Sequence, residues 1–110
     1  MADCEKRVRR GLAGKAQFLN AQTVQAIGRD GFIVVDLRAE ADYNKRHLDG
    51  AINMPYGSFA DQWFSGFLKD TGKKFIFVCY SGQTSAWVAA LLHALGWETY
   101  TMRGGMNAVK

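Results

Sequence analysis

Short apolar runs alternate along the chain with polar segments whose apolar positions recur every three or four residues. The two strongest runs, residues 32–36 and 75–78, are rich in β-branched and aromatic side chains. Such runs are typical of strands that are buried on both faces, as in a parallel sheet. Weaker runs at 16–19, 51–54 and 99–102 predict three further strands.

Helical patterns lie between these predicted strands. Asn20 is a suitable N-cap for the first helix, and Thr84 or Ser85 for the last, which Gly96 ends. The predicted helices cover residues 21–27, 39–46, 56–69 and 86–95. Because strands and helices alternate, we expect an α/β domain with a mainly parallel sheet.

Composition agrees with one ordered domain. The 110 residues are 48% hydrophobic and include a single proline, as expected of a compact globule with one core. No apolar run approaches the length that spans a bilayer, so we expect no membrane contact. The N-terminus lacks the apolar segment of a secretory signal, which favours a cytoplasmic location. An exported form whose leader has been removed is the alternative.

The net charge of +4 is concentrated at the N-terminus. Residues 1–15 carry five bases and two acids, a net charge of +3, whereas the remaining residues carry nine bases and eight acids. We therefore divide the chain into a basic, flexible extension at 1–15 and a folded domain at 16–110. Since the basic side chains are not interleaved with aromatic ones, we expect no nucleic-acid partner.

Cys4 and Cys79 are 75 positions apart, so the sequence does not indicate a disulfide framework. His47 and His93 are isolated, and we expect no metal.

The chemistry is expected at Cys79, which follows the predicted strand at 75–78. Ligands of parallel sheets bind at the carboxyl ends of the strands. Backbone N–H groups of a strand–loop–helix turn, with the positive end of the helix dipole, stabilise an anion such as a thiolate. The alternative is a small buried hydrophobe, but the polar residues that follow favour a reactive thiolate. These residues are Tyr80, Ser81, Gly82, Gln83, Thr84 and Ser85.

Other polar residues have two interpretations each. Asp36 and Arg38 follow the strand at 32–36, where Arg38 could approach the anion or the pair could fasten neighbouring loops. We favour the second interpretation, because paired charges at a strand end are usually structural. His47 could be a general base, but we interpret it as a structural hydrogen-bonding residue, and we expect His93 at the solvent edge of its helix.

The ordered motifs of the chain resemble those of the rhodanese-like family, and the loop resembles that of single-domain thiosulfate sulfurtransferases. The resemblance covers residues 16–110 and rests on five motifs in sequence: residues 35–38, 46–55, 79–85, 95–96 and 102–105. It implies a single rhodanese-like domain with a five-stranded, mainly parallel sheet, flanked by helices on both faces. The loop from Cys79 to Thr84 would be the active-site cradle.

The resemblance also implies a reaction. Cys79 would take the outer sulfur of a donor such as thiosulfate, release sulfite and hold the sulfur as a persulfide. Residues 80–85 would bind the substrate. An acceptor, which is cyanide in vitro and a thiol or a protein in the cell, would then remove the sulfur. No cofactor is needed, and we expect a monomer or a weak homodimer.

Two departures from the family pattern bear on function. Thr84 stands where many members carry an arginine, which predicts weaker thiosulfate binding or another donor. A tryptophan that usually follows the Gly104–Gly105 pair is replaced by Ala108 and Val109. One alternative function is a persulfide-carrying relay or partner-binding module with little turnover. A phosphatase or arsenate reductase of the same fold is disfavoured, because its loop is longer and has an arginine where Ser85 stands.

Overall fold

The computed structural model describes residues 17–27, 31–64 and 74–109, and its strands form one sheet. The strands are β1 (Phe18–Leu19), β2 (Phe32–Asp36), β3 (Ile52–Asn53), β4 (Lys74–Val78) and β5 (Thr99–Met102). Their order in the sheet is β1-β5-β4-β2-β3, and every pairing is parallel. The predicted five-stranded, mainly parallel sheet is confirmed.

The centre of the sheet is the pair β2 and β4, which the sequence marks as its most apolar segments. The two strands pair over five residues, with Val35 opposite Phe77 and Asp36 opposite Val78. Phe77 and Val35 are fully buried, and burial of one such side chain stabilises the fold by about 1.5–3 kcal/mol. The carboxyl ends of β2 and β4 therefore lie side by side at one edge of the sheet.

The helices differ from the predicted ones mainly at their ends. They are α1 (Ala21–Ala26), α2 (Glu40–Lys45), α3 (Phe59–Phe64) and α4 (Gln83–Ala94), with 3-10 helices at Tyr56–Ser58 and Gly105–Ala108. The predicted helix at 56–69 begins instead as a 3-10 turn, and its last residues lie outside the described ranges. Asn20 caps α1 as predicted, since its side chain accepts a hydrogen bond from the N–H of Thr23.

The start of α4 was predicted wrongly. Neither Thr84 nor Ser85 caps it; the N-cap is Gly82, and the helix begins at Gln83 without a side-chain cap. The Ser85 hydroxyl instead points into the protein, where it contacts Cys79 and Thr101. The predicted end is correct, because the chain turns at Gly96 with a φ of 102°.

Helices cover both faces of the sheet, as the resemblance implied. On one face α3 and α4 enclose an aromatic core in which the Trp63 ring lies 4.9 Å from the ring centroids of both Phe75 and Trp97. On the other face, Val24 of α1 packs with Ile76 and neighbouring apolar side chains. The two cores pack closely against opposite faces of the sheet. The site lies at the carboxyl edge of this sheet, so the strands that carry it are held on both faces.

The predicted extension at 1–15 lies outside the described residues. Within the described ranges, every helix is too short or too polar to span a bilayer.

Candidate active site

Cys79 lies immediately after β4, at the carboxyl edge of the sheet, and is 5% exposed. Its sulfur is surrounded by donors from the loop that follows. The N–H groups of Gly82 and Ser85 donate to Sγ at 3.1 and 3.4 Å, and Ser85 Oγ lies 3.4 Å away. This geometry is the predicted cradle of inward-pointing N–H groups around an anion.

Gly82 makes the tight turn of the cradle possible. Its φ of 94° lies in the left-handed region, which side chains rarely adopt. A Cβ at this position would also lie 3.0 Å from the backbone nitrogen of Gly104 and 3.2 Å from the carbonyl oxygen of Met102. A glycine is therefore required both by the turn and by the chain segment packed behind it.

The pKa of the Cys79 thiol is lowered from its ordinary value as the net result of two opposing effects. Burial alone raises the pKa, because it disfavours the charged thiolate. Hydrogen bonds outweigh burial; they come from the Ser85 hydroxyl and from the N–H groups of Ser85, Gly82 and Ser81. The cradle thus favours a nucleophilic thiolate without a cationic partner.

The Ser85 hydroxyl is held by a second hydroxyl. Ser85 Oγ lies 2.6 Å from Thr101 Oγ1 on β5, and both residues are fully buried. When Cys79 is a thiolate, Thr101 can donate to Ser85 while Ser85 donates to Sγ. Such a chain of hydrogen bonds polarises each member and strengthens the one that reaches the charge.

The C-terminal 3-10 helix braces the loop from behind. The N–H of Met106 donates to the carbonyl of Cys79 at 2.8 Å, and the N–H of Asn107 donates to that of Tyr80 at 2.9 Å. Gly105 allows this approach, because a Cβ there would lie 2.5 Å from the carbonyl oxygen of Tyr80. The segment that follows the Gly104–Gly105 pair is therefore part of the scaffold of the site.

A concave pocket of about 380 Å³ opens above the sulfur. In the part of the chain that the structure describes, no Lys, Arg, His, Asp or Glu side chain lines its walls. They are formed by Leu37, Ala39, Pro55, Tyr56, Gly57, Cys79, Tyr80 and Thr84. The described surroundings of the sulfur are therefore largely apolar and uncharged.

Tyr80 is the polar part of that rim, and its position is fixed from α2. Its hydroxyl donates to the Asp42 carboxylate at 2.5 Å and accepts from the N–H of Ala39 at 3.3 Å. The hydrogen bond to Asp42 is the main cause of a raised pKa at Tyr80. The phenol is therefore neutral at physiological pH.

The predicted site residues divide into three groups. Ser81, Gly82 and Ser85 stabilise the sulfur, as described above. Tyr80 and Thr84 line the pocket. Gln83 is exposed at the first position of α4. Within the described loop, neither Gln83 nor Thr84 donates a hydrogen bond to Sγ.

Asp36 and Arg38 form the buried structural pair that we favoured over an anion site. Arg38 Nη2 lies 2.8 Å from Asp36 Oδ2 and donates to the carbonyl of Arg46 at 2.5 Å. Asn53 donates to the carbonyls of both residues. Arg38 thus fastens the β2 end to the next loop, and its neighbours Leu37 and Ala39 face the pocket.

The two histidines lie away from the sulfur's hydrogen-bond partners. His47 Nδ1 lies 2.7 Å from the carbonyl oxygen of Tyr43, and its ring stacks on Tyr43 at 3.8 Å, which agrees with a structural role. His93 is half-buried, and its Nδ1 has no hydrogen-bond partner among the described residues. In those ranges no three His, Cys, Asp or Glu side chains gather to hold a metal ion.

Sequence reasoning missed three supporting contacts of the site. Thr101 and Asp42 belong to no recognisable motif. Each supports the site only through a contact that is distant in sequence, Thr101 with Ser85 and Asp42 with Tyr80. The Gly104–Gly105 pair follows a predicted strand and so must lie near the carboxyl edge of the sheet, but no local pattern indicates its contact with the loop.

Family comparison decides the classification. The model of the rhodanese-like domain family matches residues 19–110. The chain belongs to the rhodanese-like domain family. The match includes the sheet, the cradle loop and the C-terminal brace, so the resemblance given by the ordered motifs is confirmed.

Relatives of two kinds share this domain. The tRNA sulfurtransferase of Pyrobaculum aerophilum is 37% identical over 82 residues, which are 73% of this chain but only 16% of that protein. The thiosulfate sulfurtransferase GlpE of Pseudomonas fluorescens Pf-5 is 30% identical over 89 residues, with 78% of this chain and 77% of that protein covered. The chain therefore spans a small part of the first relative and most of the second.

A solved structure has the same fold. The rhodanese-related protein from Thermoplasma volcanium superposes with a TM-score of 0.71 at 24% identity, and the match covers 84% of this chain and 88% of that one.

Proposed function

We propose that this chain is a sulfurtransferase in which Cys79 carries the transferred sulfur as a persulfide. The observation that supports the proposal most directly is the cradle, which gives Sγ two N–H donors and a hydroxyl and lowers its pKa. A thiolate is the nucleophile that sulfane-sulfur chemistry needs, and a lowered pKa increases the thiolate fraction. The names of the relatives, thiosulfate sulfurtransferase and tRNA sulfurtransferase, agree with this reaction class.

The reaction has two displacement steps. In the first, the Cys79 thiolate attacks the outer sulfur of a donor such as thiosulfate. The Sγ–S bond forms, the S–S bond of the donor breaks, and its electron pair leaves with sulfite. The loop N–H groups that hold the thiolate can then also stabilise the charge of the persulfide.

In the second step, an acceptor attacks the outer sulfur of the persulfide. With cyanide, a carbon–sulfur bond forms, the Sγ–S bond breaks, and thiocyanate leaves while the electron pair returns to Sγ. Cys79 is thereby regenerated as a thiolate. Neither step needs a group beyond donor, acceptor and the loop itself.

Intact-protein mass spectrometry tests this proposal. Thiosulfate should add one sulfur, about 32 Da, to the peptide that contains Cys79, and cyanide should remove it. Cys79→Ser should abolish the adduct, whereas Cys4→Ser should leave it nearly unchanged. Equal losses in both variants, or a folded protein that takes sulfur from neither thiosulfate nor an organic persulfide, would refute the assignment.

A persulfide-carrying relay is the second candidate, and the uncharged pocket favours it. Since the described pocket walls offer no cation to a small dianion, turnover of thiosulfate to cyanide would be slow while transfer to a partner is efficient. An adduct that forms but that cyanide discharges poorly would support the relay. Rapid cyanide-dependent turnover would support the enzyme.

A further inference from the structure

An apolar groove continues from the Cys79 pocket along α4. The groove has a volume of about 400 Å³, and its floor includes the buried side chains of Phe59, Val88 and Leu92. Tyr56 and Gly57 line both concavities, so the groove adjoins the pocket above the sulfur. Its remaining walls come from Ala60, Trp87 and Leu91.

The rim of these two concavities holds most of the exposed large apolar side chains. Four of the five such side chains in the described ranges border them; only Phe18 lies elsewhere. Trp87 is 70% exposed and Leu91 is 59% exposed. Separation by one helical turn places both on the same face of α4. A cluster of this kind beside a reacting atom indicates a contact surface rather than scattered surface residues.

The charge of the lining residues limits which kind of molecule can bind in the groove. Among the described residues, neither the groove nor the pocket is lined by a Lys, Arg, His, Asp or Glu side chain. Arg38, on β2's carboxyl side, is committed to Asp36 and is 7% exposed. An anionic body would lose its hydration here without gaining a counter-charge, whereas an apolar body gains free energy by leaving water.

The exposure of the rim indicates a macromolecular occupant. A small-ligand pocket typically buries about 70–90% of the ligand surface. This groove is open to solvent, and Trp87 on its rim is itself 70% exposed, so the groove does not enclose a small ligand in that way. Tyr and Trp on an open surface are typical anchors of protein interfaces. From Thr84 in the pocket to Leu92 in the groove, the two concavities follow α4 for about 12 Å, a distance covered by about four residues of extended chain.

We propose that the groove binds a partner protein at a segment in which apolar side chains lie within about four residues of a reactive cysteine. The proposal rests on the sulfurtransferase function, for which it names the partner. The partner's thiolate attacks the outer sulfur of the Cys79 persulfide; the new S–S bond forms, the Sγ–S bond breaks, and the electron pair returns to Sγ. Transfer from a partner persulfide to Cys79 is the same step in reverse.

Thiol–disulfide exchange tests the groove without requiring sulfur transfer. The two probes are acetyl-Leu-Leu-Gly-Cys-Gly-Leu-Leu-amide and its analogue with serine in place of leucine, each as the mixed disulfide with thionitrobenzoate. Cys79 attacks the peptide sulfur, the S–S bond to thionitrobenzoate breaks, and the coloured thiolate leaves. In the Cys4→Ser background, Cys79 is the sole reacting thiol.

We expect the apolar probe to react about tenfold faster than the polar probe, the ratio that burial of about one leucine side chain would give. The double variant W87S/L91S should reduce this ratio to near one, while W87F/L91M, which keeps an apolar rim, should retain it. Phe18→Ser is the matched control, because it removes an exposed aromatic side chain outside both concavities. Circular dichroism verifies that each variant is folded.

Three results would overturn the proposal: a ratio near one in the parent chain, an unchanged ratio in W87S/L91S, or a dimer that W87S/L91S dissociates. The last result would assign the groove to a second copy of the chain. Failure of the sulfur-transfer function is distinguishable, since it would appear as a missing persulfide in mass spectrometry while the probe ratio stays high.

Discussion

Ser85 Oγ lies 2.6 Å from Thr101 Oγ1 in a fully buried contact between α4 and β5. Because Ser85 Oγ also lies 3.4 Å from Cys79 Sγ, the two hydroxyls and the sulfur form one chain of hydrogen bonds. Thr101 therefore acts on the sulfur through Ser85, and we regard it as a positioning residue rather than a catalytic one.

Replacing Thr101 with valine should raise the pKa of the Cys79 thiol. Valine keeps the shape of threonine but removes the donor that polarises Ser85, so the hydrogen bond to the thiolate weakens. The pH dependence of iodoacetamide alkylation should shift toward higher pH, and stability should fall by about 1–3 kcal/mol because the Ser85 hydroxyl loses a buried partner. Thr101→Ser, which keeps the hydroxyl, should restore the profile; a shift in both variants would contradict this role.

Gly105→Ala should disturb the loop around Cys79 more than an alanine substitution at a glycine that lies away from this loop. A Cβ at Gly105 meets the carbonyls of Cys79 and Tyr80, so the bonds from Met106 and Asn107 must lengthen or break. Gly31 is the matched control, because it has a similarly positive φ of 77° but open space around its Cβ position.

In urea denaturation, Gly31→Ala should cost about 1–2 kcal/mol, the penalty of the left-handed conformation alone. Gly105→Ala should cost clearly more and should also slow alkylation of Cys79. Equal costs for both substitutions, with unchanged alkylation, would mean that the close packing behind the loop contributes nothing to the site.

The sequence predicted those features of the fold that local patterns determine. β2 and β4 were found because each contains at least four successive apolar residues, most of them buried, and Asn20 was found because N-capping is local. The cap of α4 was predicted wrongly because Ser85, a good capping residue by type, has its hydroxyl turned toward Cys79 and Thr101.

The sequence identifies a candidate nucleophile but not the contacts that surround it. Cys79 stands out because a cysteine between a strand and a polar, glycine-containing loop has a clear chemical meaning. Thr101 contacts Ser85 from 16 positions downstream, and Met106 contacts Cys79 from 27 positions downstream. Their partners depend on the strand order β5-β4 and on the path after β5, which local sequence patterns do not encode.

Removing the carboxylate of Asp36 should destabilise the fold strongly. Arg38 is 7% exposed, so Asp36→Ala would leave a buried cation without its partner, at a cost of about 3–5 kcal/mol in urea denaturation. The exposed pair Lys74–Glu98, at 3.5 Å, is the control, since Glu98→Ala should cost less than about 1 kcal/mol. Similar costs for the two substitutions would show that Arg38 does not depend on Asp36.

Ionisation of Cys79 should make the folded chain more stable as pH rises. The cradle lowers the pKa of this thiol in the folded state, whereas in the unfolded chain the pKa returns to about 8.5. Between the two pKa values the unfolded chain binds more protons, so the free energy of unfolding increases with pH.

Cys79→Ser lacks this titration and otherwise keeps the same ionisable groups. The stability difference between parent chain and Cys79→Ser, measured by urea denaturation under reducing conditions, should therefore be constant below the folded pKa. The stability difference should rise between the folded-state and unfolded-state pKa values of Cys79, and it should be constant again above the unfolded-state pKa. A difference that falls with rising pH would mean that burial outweighs the cradle's hydrogen bonds and that the folded protein prefers the neutral thiol.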